Sequence, residues 1–500
     1  MNQQSGLFLA IDQSTSATKA LLFTSDGTLM DQEALSHHQI YPRAGWVEHD
    51  ADEIFRNTLK VASDLLQRHA NQQNNLLALS ITNQRETFVL FDRETGRPLH
   101  NAIVWQCRRG TELCTQLINT GKDEFVHKHT GLKIDTYFPA SKLRWLLDTH
   151  PDLRDRLKDG SALFGTIDTY LIYRLTGGKV YATDHTNASR TLFYDIGKLA
   201  WSQSLCKVFD LEFGELPEVR ESSAWYGDTD LLGYLNRRIP IYGVMGDSQA
   251  ALFAQRCFEP GSAKVTFGTG SSVLLNIGHK KHLSEHGTLT ALGWVLNGQP
   301  TYAFEGIINY TGATIAWLRD QLQLITDPAE TEILARSIPD SDGVYFVPAF
   351  VGLSAPYWYP DARAAILGMT PSTTRAHIVR AALESIGYII TDVLKAMGQD
   401  AGVDLSVVHA DGGAVRNAFL MQFVADMNQL TVRAAQTPEL SALGAVFSGA
   451  LGLQIYTSLE DLQEIPFSFT EYTAALDPAQ TIKLFDGWLI AVQKVLYQPK

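Results

Sequence analysis

The sequence has few cysteines, no excess of positive charge and no long apolar run, and each shortage excludes a class of protein. Its 500 residues include four cysteines without a CxxC pair, so neither a disulfide framework nor a zinc knuckle is expected. Lys and Arg number 41 against 54 Asp and Glu, which gives a formal charge of −13, and no basic tract occurs. We therefore expect neither a nucleic acid nor an anionic membrane as the main partner.

Apolar segments long enough to span a membrane are also missing. The nearest candidate, VYFVPAFVGL, is interrupted by Pro348, and the start MNQQSG lacks the form of a signal peptide. With 45% hydrophobic and 19% charged residues, the composition is that of an ordinary globular enzyme. A chain of this length exceeds a single core, so we expect two large domains. The spacing of the four cysteines fits reduced thiols in the cytoplasm best.

Strand–turn–strand and strand–turn–helix patterns predict an α/β fold. Residues 7–23 and 263–278 each predict a hairpin. Residues 239–255 and 405–427 each predict a strand, a turn and a helix. This weak repeat predicts two similar α/β domains with a cleft between them, over residues 1–254 and 255–500. Ligands of open α/β sheets bind at the carboxyl ends of strands.

The turns of both hairpins have the composition of phosphate-binding loops. DQSTSATK, residues 12–19, offers N–H groups, four hydroxyls and Lys19, and FGTGSS, residues 267–272, offers N–H groups beside small side chains. Clustered N–H groups attract anions, although either turn alone is an ordinary hairpin turn. No G-x-x-x-x-G-K-[ST] occurs, and Val273 breaks the dinucleotide fingerprint. If the chain binds ATP, it does so outside the P-loop class.

Asp12 and Asp247 are the candidate acids. Asp12 ends an apolar strand, and Asp247 stands at the turn between a strand and a helix. A turn-bordering residue and a helix cap are the ordinary roles of such positions. Beside phosphate turns the two acids have a joint explanation. Mg²⁺ takes oxygen ligands and arrives with nucleotide phosphates, and an acceptor hydroxyl needs a base within hydrogen-bond reach.

Arg85 and Glu86, which follow another apolar strand, are candidates for binding hydroxyl groups. Arg donates and Glu accepts, so together they can hold neighbouring hydroxyls of one small polyol. A solvated charge pair is the plainer interpretation. Trp105 is either an apolar wall for the carbon backbone of that polyol or a core residue, and Tyr137 can add a hydroxyl.

Collinear blocks resemble the FGGY carbohydrate kinases, and among them the glycerol kinases. They run from about residue 7 to residue 453 and include GWVEHD, ITNQRET, NAIVWQCRR, TNASRT, GDSQAALF, TFGTGSS, YTGATIAWLRD, VPAFVGLSAPYW and DGGAVRNAFLMQF. The resemblance implies two ribonuclease H-like, actin-like domains that close on ATP and Mg²⁺. It also implies phosphorylation of a primary hydroxyl of a small polyol, most simply glycerol, by a homodimer or homotetramer.

The resemblance also implies a role for each matching residue. Asp12 and Asp247 would contact the metal ion, and Asp247 would be the general base. The polyol would be held by Arg85, Glu86, Trp105, Tyr137 and Asp247. The nucleotide would be held by Thr15, Ser16, Lys19, Thr269, Gly270, Gly312, Gly413 and Asn417.

Four positions depart from the family pattern. Lys19 replaces an Arg, so bidentate contact with phosphate is lost, and Ala316 replaces a Gln. Ser248 and Ser272, which would line the polyol pocket, replace a Gln and an aromatic residue. Each lost apolar contact is worth about 1–3 kcal/mol of discrimination. A roomier pocket would suit a four- or five-carbon polyol or ketose. A non-catalytic nucleotide-binding protein on an actin-like scaffold is a more distant alternative.

Overall fold

The computed structural model describes residues 6–497. The first five residues of the predicted domain 1–254, which include most of the MNQQSG start, and the last three of the predicted domain 255–500 lie outside the described residues. The chain divides into two compact units, each assembled from three segments. The first unit consists of Met1–Arg256, Thr290–Tyr302 and Glu439–Pro466. The second consists of Cys257–Leu289, Ala303–Pro438 and Phe467–Lys500.

Strands and helices alternate along the chain, as the sequence predicted. The strands are β1 (Leu7–Gln13), β2 (Ala17–Thr24), β3 (Leu29–Ser36), β4 (Glu48–His49), β5 (Leu76–Asn83), β6 (Phe88–Asp92), β7 (Ala102–Ile103), β8 (Ala162–Thr166), β9 (Ala182–Asp184), β10 (Tyr194–Asp195), β11 (Ala200–Trp201), β12 (Glu218–Arg220), β13 (Trp225–Thr229), β14 (Ile239–Gly246), β15 (Ser262–Phe267), β16 (Ser271–Gly278), β17 (Leu289–Leu296), β18 (Gln299–Ile308), β19 (Tyr345–Val347), β20 (Ala365–Leu367), β21 (Val407–Gly412), β22 (Thr431–Ala435) and β23 (Phe469–Tyr472).

The helices are α1 (Ala51–Arg68), α2 (Thr111–Asn119), α3 (Asp123–Thr130), α4 (Pro139–Thr149), α5 (Pro151–Asp159), α6 (Ile167–Leu175), α7 (His185–Ala188), α8 (Gln203–Val208), α9 (Asp247–Ala254), α10 (Gly312–Asp320), α11 (Glu330–Arg336), α12 (Arg375–Ala401), α13 (Ala418–Asn428), α14 (Leu440–Gly452), α15 (Leu459–Gln463) and α16 (Pro478–Leu496). Short 3₁₀ helices cover Ala70–Asn75 and Gly413–Arg416. Thr374 forms a capping box with His377 at the start of α12.

The main sheet of the first unit brings three strand ends to one edge. Its order is β13–β14–β5–β1–β2–β3. Strand β1 pairs with β2 in antiparallel fashion and with β5 in parallel, and β5 pairs with β14 in parallel. Asn83 lies in register with Gln13 on one side and with Gly246 on the other. The residues that follow β1, β5 and β14 therefore meet at the same carboxyl edge.

Apolar burial holds this sheet in place. Ile11, Leu22 and Ile81 are fully or almost fully buried, and Ile54 and Leu65 of α1 pack into the same cluster. Each such side chain contributes about 1.5–3 kcal/mol when it leaves water. The periodic apolar face of α1 thus fixes the sheet behind the edge described above.

Small residues allow α14 to pack closely against α9, β14 and β5. A Cβ atom on Gly444 would lie 1.9 Å from the carbonyl oxygen of Ala250. A Cβ atom on Gly243, whose φ is +79°, would lie 2.0 Å from the carbonyl oxygen of Ala445. No larger residue fits these two positions without moving the backbone, so the glycines set the distance between α14 and the sheet.

The second unit repeats the pairing pattern of the first. Its sheet contains the order β16–β15–β21–β22–β23. Strand β15 is antiparallel to β16 and parallel to β21, which is parallel to β22. The β2–β1–β5–β14 set has the same sequence of antiparallel, parallel and parallel pairs. The weak repeat in the sequence therefore corresponds to a repeated sheet topology.

All four cysteines are buried as free thiols. Within residues 6–497, the structure contains no helix with the length and apolarity needed to cross a membrane.

Candidate functional site

Asp12 is a buried carboxyl group without a hydrogen-bond donor. It lies near the end of β1 with 8% of its surface exposed, and no residue of the described chain donates a hydrogen bond to its carboxylate. Burial raises its pKa to about 7; nearby Lys19 opposes this rise, and the charges of Glu439 and Asp247 add to it. A buried carboxylate that accepts no hydrogen bond is stabilised by a nearby cation, so the surroundings of Asp12 fit a metal ion.

Asp247 follows β14 at the same sheet edge and opens α9. Its carboxylate Oδ1 lies 3.2 Å from Nε of Arg85 and accepts a hydrogen bond from the Ser248 amide at 2.6 Å. The side chain is 40% exposed, whereas Arg85 is 4% exposed. Asp247 is therefore accessible to a ligand while a buried guanidinium holds it, which a simple helix cap would not require.

Glu86 is held by a second buried arginine. Nε of Arg190 donates to Oε1 of Glu86 at 2.6 Å, and both side chains are almost fully buried. Glu86 adopts a left-handed φ of 62°, an uncommon conformation for a residue with a side chain. The interpretation of Arg85 and Glu86 as a solvated charge pair is therefore wrong, because both residues are buried.

Trp105 and Tyr137 form an aromatic pair, with ring centroids 5.3 Å apart and both rings partly exposed. Lys142, which is fully buried, donates to the carbonyl oxygens of both residues at 3.3 and 3.2 Å and to that of Val104 at 3.0 Å. Burial lowers the pKa of this lysine to about 8. Trp105 also donates from Nε1 to Oγ1 of Thr15 at 2.9 Å, so the aromatic pair touches the first turn.

The first turn, Ser14–Ser16, is held from behind by amide side chains. Gln39 donates to the Thr15 carbonyl at 2.9 Å, and Gln84 donates to the Ser14 carbonyl at 3.3 Å. Ser16 is exposed. The backbone of the turn is thus fixed, while its outer surface is open to a ligand.

Lys19 lies opposite Asp12 in the β1–β2 register. Its Nζ lies 2.7 Å from both carboxylate oxygens of Glu439, the residue that precedes α14. Glu439 is therefore part of this site.

In the second unit, the turn 268–270 is packed against the start of α10. The amides of Gly312 and Ala313 donate to the carbonyls of Gly268 and Thr269 at 3.1 and 3.0 Å. A Cβ atom on Gly270 would lie 2.3 Å from the carbonyl of Ile308, so a close backbone approach explains this glycine. Thr269 is exposed at the tip of the turn.

The Gly412–Gly413 turn lies at the same edge of that sheet, since Phe267 at the end of β15 is in register with Gly412. A Cβ atom on Gly412 would lie 2.3 Å from the Phe267 carbonyl, whereas one on Gly413 would meet nothing within 4 Å. Packing therefore requires the first glycine but not the second. Asn417 caps α13 by accepting from the Leu420 amide at 2.9 Å.

The structure thus brings the predicted residues together in two groups. In the first unit, Asp247 lies beside Arg85, and its charge acts on Asp12. In the second, the 268–270 turn and Gly413 share one sheet edge. Ser248 is half-buried at the start of α9, and Ser272 is half-buried in β16, opposite Thr266.

Three residues of the first group escaped the sequence analysis. Arg190 and Glu439 hold Glu86 and Lys19, and Gln249 accepts from Arg85 at 3.2 Å through its buried side chain. Arg190 lies in the TNASRT block, where it is the one large charged residue among small polar ones, which was a usable signal. Nothing in the local sequence indicated Glu439.

The donor set at this sheet edge is compatible with Mg²⁺. Within residues 6–497, no three His, Cys, Asp or Glu side chains are grouped so as to hold a metal ion. Mg²⁺ in kinases takes one or two carboxylates and completes its shell with water and phosphate oxygens. Asp12 and Asp247 match that requirement.

Family models match both halves of the chain. The N-terminal domain model of the FGGY family of carbohydrate kinases matches residues 7–254, and the C-terminal domain model matches residues 263–453. The chain belongs to the FGGY family of carbohydrate kinases.

Similar proteins within this family include several glycerol kinases. The chain is 44% identical to glycerol kinase 1 of Thermotoga maritima, over 98% of this chain and 99% of that protein. It is 46% identical to a glycerol kinase of Pseudomonas syringae, over 98% and 97%. The structure of Plasmodium falciparum glycerol kinase with ADP superposes with a TM-score of 0.94 at 36% identity, covering 99% of each chain. The xylulose kinase of Lactobacillus acidophilus, at 19% identity, TM-score 0.89 and coverage of 98% and 99%, shows the fold alone.

Proposed function

We propose that this FGGY kinase transfers the γ-phosphoryl group of ATP to a primary hydroxyl of glycerol and so forms glycerol 3-phosphate. One observation carries the proposal. A buried acid near the end of β1 and a half-exposed acid after β14 lie at one sheet edge, and Arg85 lies 3.2 Å from the second acid. The 44–46% identity to glycerol kinases over nearly the whole chain supports glycerol as the acceptor.

In the proposed reaction, Arg85 and Glu86 hold two hydroxyl groups of glycerol, and Trp105 and Tyr137 cover its carbon chain. The carboxylate of Asp247 takes the proton of the third hydroxyl as its oxygen bonds to the γ-phosphorus. The bond between the γ-phosphorus and the β–γ bridging oxygen breaks, and ADP leaves. Positioning and electrostatic stabilisation supply nearly all of the catalysis in such reactions.

The residues that match the nucleotide site of the family would offset the charge of the phosphates. Asp12 and Asp247 would hold Mg²⁺, which neutralises charge on the triphosphate. Thr15, Ser16 and Lys19 would contact the phosphates from the first turn, and Thr269 and Gly270 from the second. Gly312, Gly413 and Asn417 would contact the rest of the nucleotide; the open space beside Gly413 supports this assignment.

The domain boundaries, assembly and location are also part of the proposal. We assign the polyol site to domain 1–254 and the adenosine site to domain 255–500, in a cytoplasmic homodimer or homotetramer that acts on a free small molecule. The ranges of the two family models support this division, although in the structure the first compact unit also includes Thr290–Tyr302 and Glu439–Pro466. The assembly and location rest on family likeness alone.

A second candidate acceptor is a longer polyol or ketose, which the small side chains of Ser248 and Ser272 favour. A panel assay separates the two. It measures ATP-dependent phosphorylation of glycerol, erythritol, threitol, dihydroxyacetone, erythrulose, xylitol and pentuloses. The highest kcat/KM for glycerol is expected, and a clear preference for a longer acceptor would replace glycerol in the proposal. An actin-like protein without kinase activity would phosphorylate none of them, and such proteins have no use for Arg85 beside Asp247.

A further inference from the structure

We propose that Trp105 is a positioning residue whose indole N–H orients the Thr15 hydroxyl as a donor to the outermost phosphate of the nucleotide. The inference rests on the proposed function and deepens it. In this proposal the ring of Trp105 covers the acceptor, and its indole nitrogen orients the Thr15 hydroxyl in the first turn.

The direction of the hydrogen bond follows from the chemistry of the two groups. Nε1 of Trp105 lies 2.9 Å from Oγ1 of Thr15. An indole nitrogen donates and never accepts, so the Thr15 oxygen is the acceptor and its own proton points elsewhere. No residue of the 6–497 range accepts that proton. The Thr15 hydroxyl is thus a donor left available on a turn that is open to a ligand.

A chain of three hydrogen bonds links the same two segments a second time. The Trp105 amide donates to Oγ1 of Thr87 at 3.2 Å, and that hydroxyl donates to Oε1 of Gln84 at 2.9 Å. Nε2 of Gln84 donates in turn to the carbonyl of Ser14 at 3.3 Å. The segment around Trp105 is therefore linked to the first turn by hydrogen bonds from both its backbone and its side chain.

This arrangement connects acceptor and phosphate binding. A donor with a fixed direction is worth more to a developing charge than one that rotates freely, because no reorganisation is needed during the reaction. Trp105 can orient the Thr15 hydroxyl only while its ring lies where it covers the acceptor. The phosphate-binding turn is therefore fully ordered only when the acceptor site is also formed.

A double-mutant cycle on kcat tests the inference. Trp105→Phe keeps an aromatic ring but removes the donor, and Thr15→Val keeps the shape but removes the hydroxyl. Thr15→Ser restores the hydroxyl. Trp201→Phe is the matched control, because it removes an indole donor, bonded to the Pro217 carbonyl at 2.7 Å, from a hairpin that has no part in the proposed site.

We expect Trp105→Phe and Thr15→Val each to lower kcat by about 10- to 100-fold, the effect of losing a hydrogen bond to a charged group. In the Thr15→Val background, Trp105→Phe should change kcat by less than about threefold, while its effect on the acceptor KM is the same in both backgrounds. Thr15→Ser should regain most of the kcat that Thr15→Val loses, and Trp201→Phe should stay within about threefold of the wild type.

Two other outcomes overturn the inference. If the effects of Trp105→Phe and Thr15→Val on kcat multiply, the two residues act independently. If Trp105→Phe changes the acceptor KM alone, its ring matters and its nitrogen does not. A wild-type protein that phosphorylates no acceptor would instead refute the proposed function, and this inference with it.

Discussion

The ammonium nitrogen of Lys19 lies 2.7 Å from both carboxylate oxygens of Glu439, although 420 residues separate the two in sequence. The Lys19 side chain is 29% exposed and that of Glu439 is 17% exposed. This pair holds a long, flexible cation beside Asp12, on the surface where we place the phosphates. The family pattern has an arginine at the lysine position, and a lysine offers a point charge instead of a planar fork.

Glu439→Ala should raise the KM for ATP by about 2- to 10-fold, because Lys19 must then be ordered when the nucleotide binds, at about 0.5–1.5 kcal/mol per side chain. Steady-state kinetics with saturating acceptor measure this, and the acceptor KM should stay unchanged. Glu215→Ala, which removes the exposed partner of Arg93, is the control. A lower KM for ATP in Glu439→Ala would mean that Glu439 competes with phosphate for the lysine.

Arg190→Met should destabilise the first unit by about 3–5 kcal/mol, since it leaves the buried Glu86 carboxylate without its hydrogen-bonded cation. Denaturant unfolding measures the loss. The combined variant Arg190→Met/Glu86→Gln should recover a large part of it, because the amide carries no charge. If the combined variant loses as much as the sum of the two single variants, the buried ion pair is not the cause.

Asp392 should make the second unit less stable as the pH rises from about 4 to about 7. Burial raises its pKa to about 7, although Trp488 Nε1 and the Tyr357 hydroxyl donate to it at 2.7 and 2.8 Å. Over this range the folded protein holds a proton that the unfolded chain has lost. The stabilisation is therefore complete below about pH 4 and is lost as the pH rises through 7, by at most about 1.4 kcal/mol per pH unit.

Denaturant unfolding at pH 4.5–7.5 tests the role of Asp392 by comparison with Asp392→Asn. The asparagine keeps an oxygen for both donors and does not titrate, so the wild type should lose stability relative to this variant with rising pH. Asp342→Asn, at an exposed position of the same unit, is the control. Parallel curves for the wild type and Asp392→Asn would show that Asp392 does not titrate in this range.

Ser248→Gln and Ser272→Phe should narrow acceptor specificity. Each substitution restores the larger side chain of the family pattern. One such contact contributes about 1–3 kcal/mol of discrimination, or a roughly 10- to 200-fold difference in kcat/KM between two acceptors. We expect kcat/KM for a four-carbon polyol to fall relative to that for glycerol, most strongly in the double variant. An unchanged ratio would mean that these two positions do not set acceptor specificity.

Local pattern was enough to predict the elements that carry the site. The apolar runs around residues 12 and 247, with their turns, predicted β1, β14 and α9, and parallel pairing with β5 then places both acids at one edge. The sequence could not reveal which distant side chains hold these groups. Glu439 reaches Lys19, and Arg190 reaches Glu86, only after the chain has folded. Periodicity and turn chemistry carry no information on such pairs.

The Trp105–Thr15 hydrogen bond shows the same limit. Both residues were candidates from the sequence, one as an apolar wall and one as a phosphate contact, and nothing in their spacing indicated that they touch. Asn417 was a candidate for contacting the nucleotide. In the structure its side chain also caps α13. Both contacts depend on the direction in which a side chain points, which the sequence does not give.

The most direct test of the account is the turnover of Asp247→Asn with ATP, Mg²⁺ and glycerol. The variant keeps the size of the side chain and an oxygen for Arg85 but cannot take the hydroxyl proton. The account predicts a kcat lower by about 10²- to 10⁴-fold, the usual contribution of a general base, with an affinity for ATP within a few-fold of the wild type. Near-normal turnover by Asp247→Asn would contradict it.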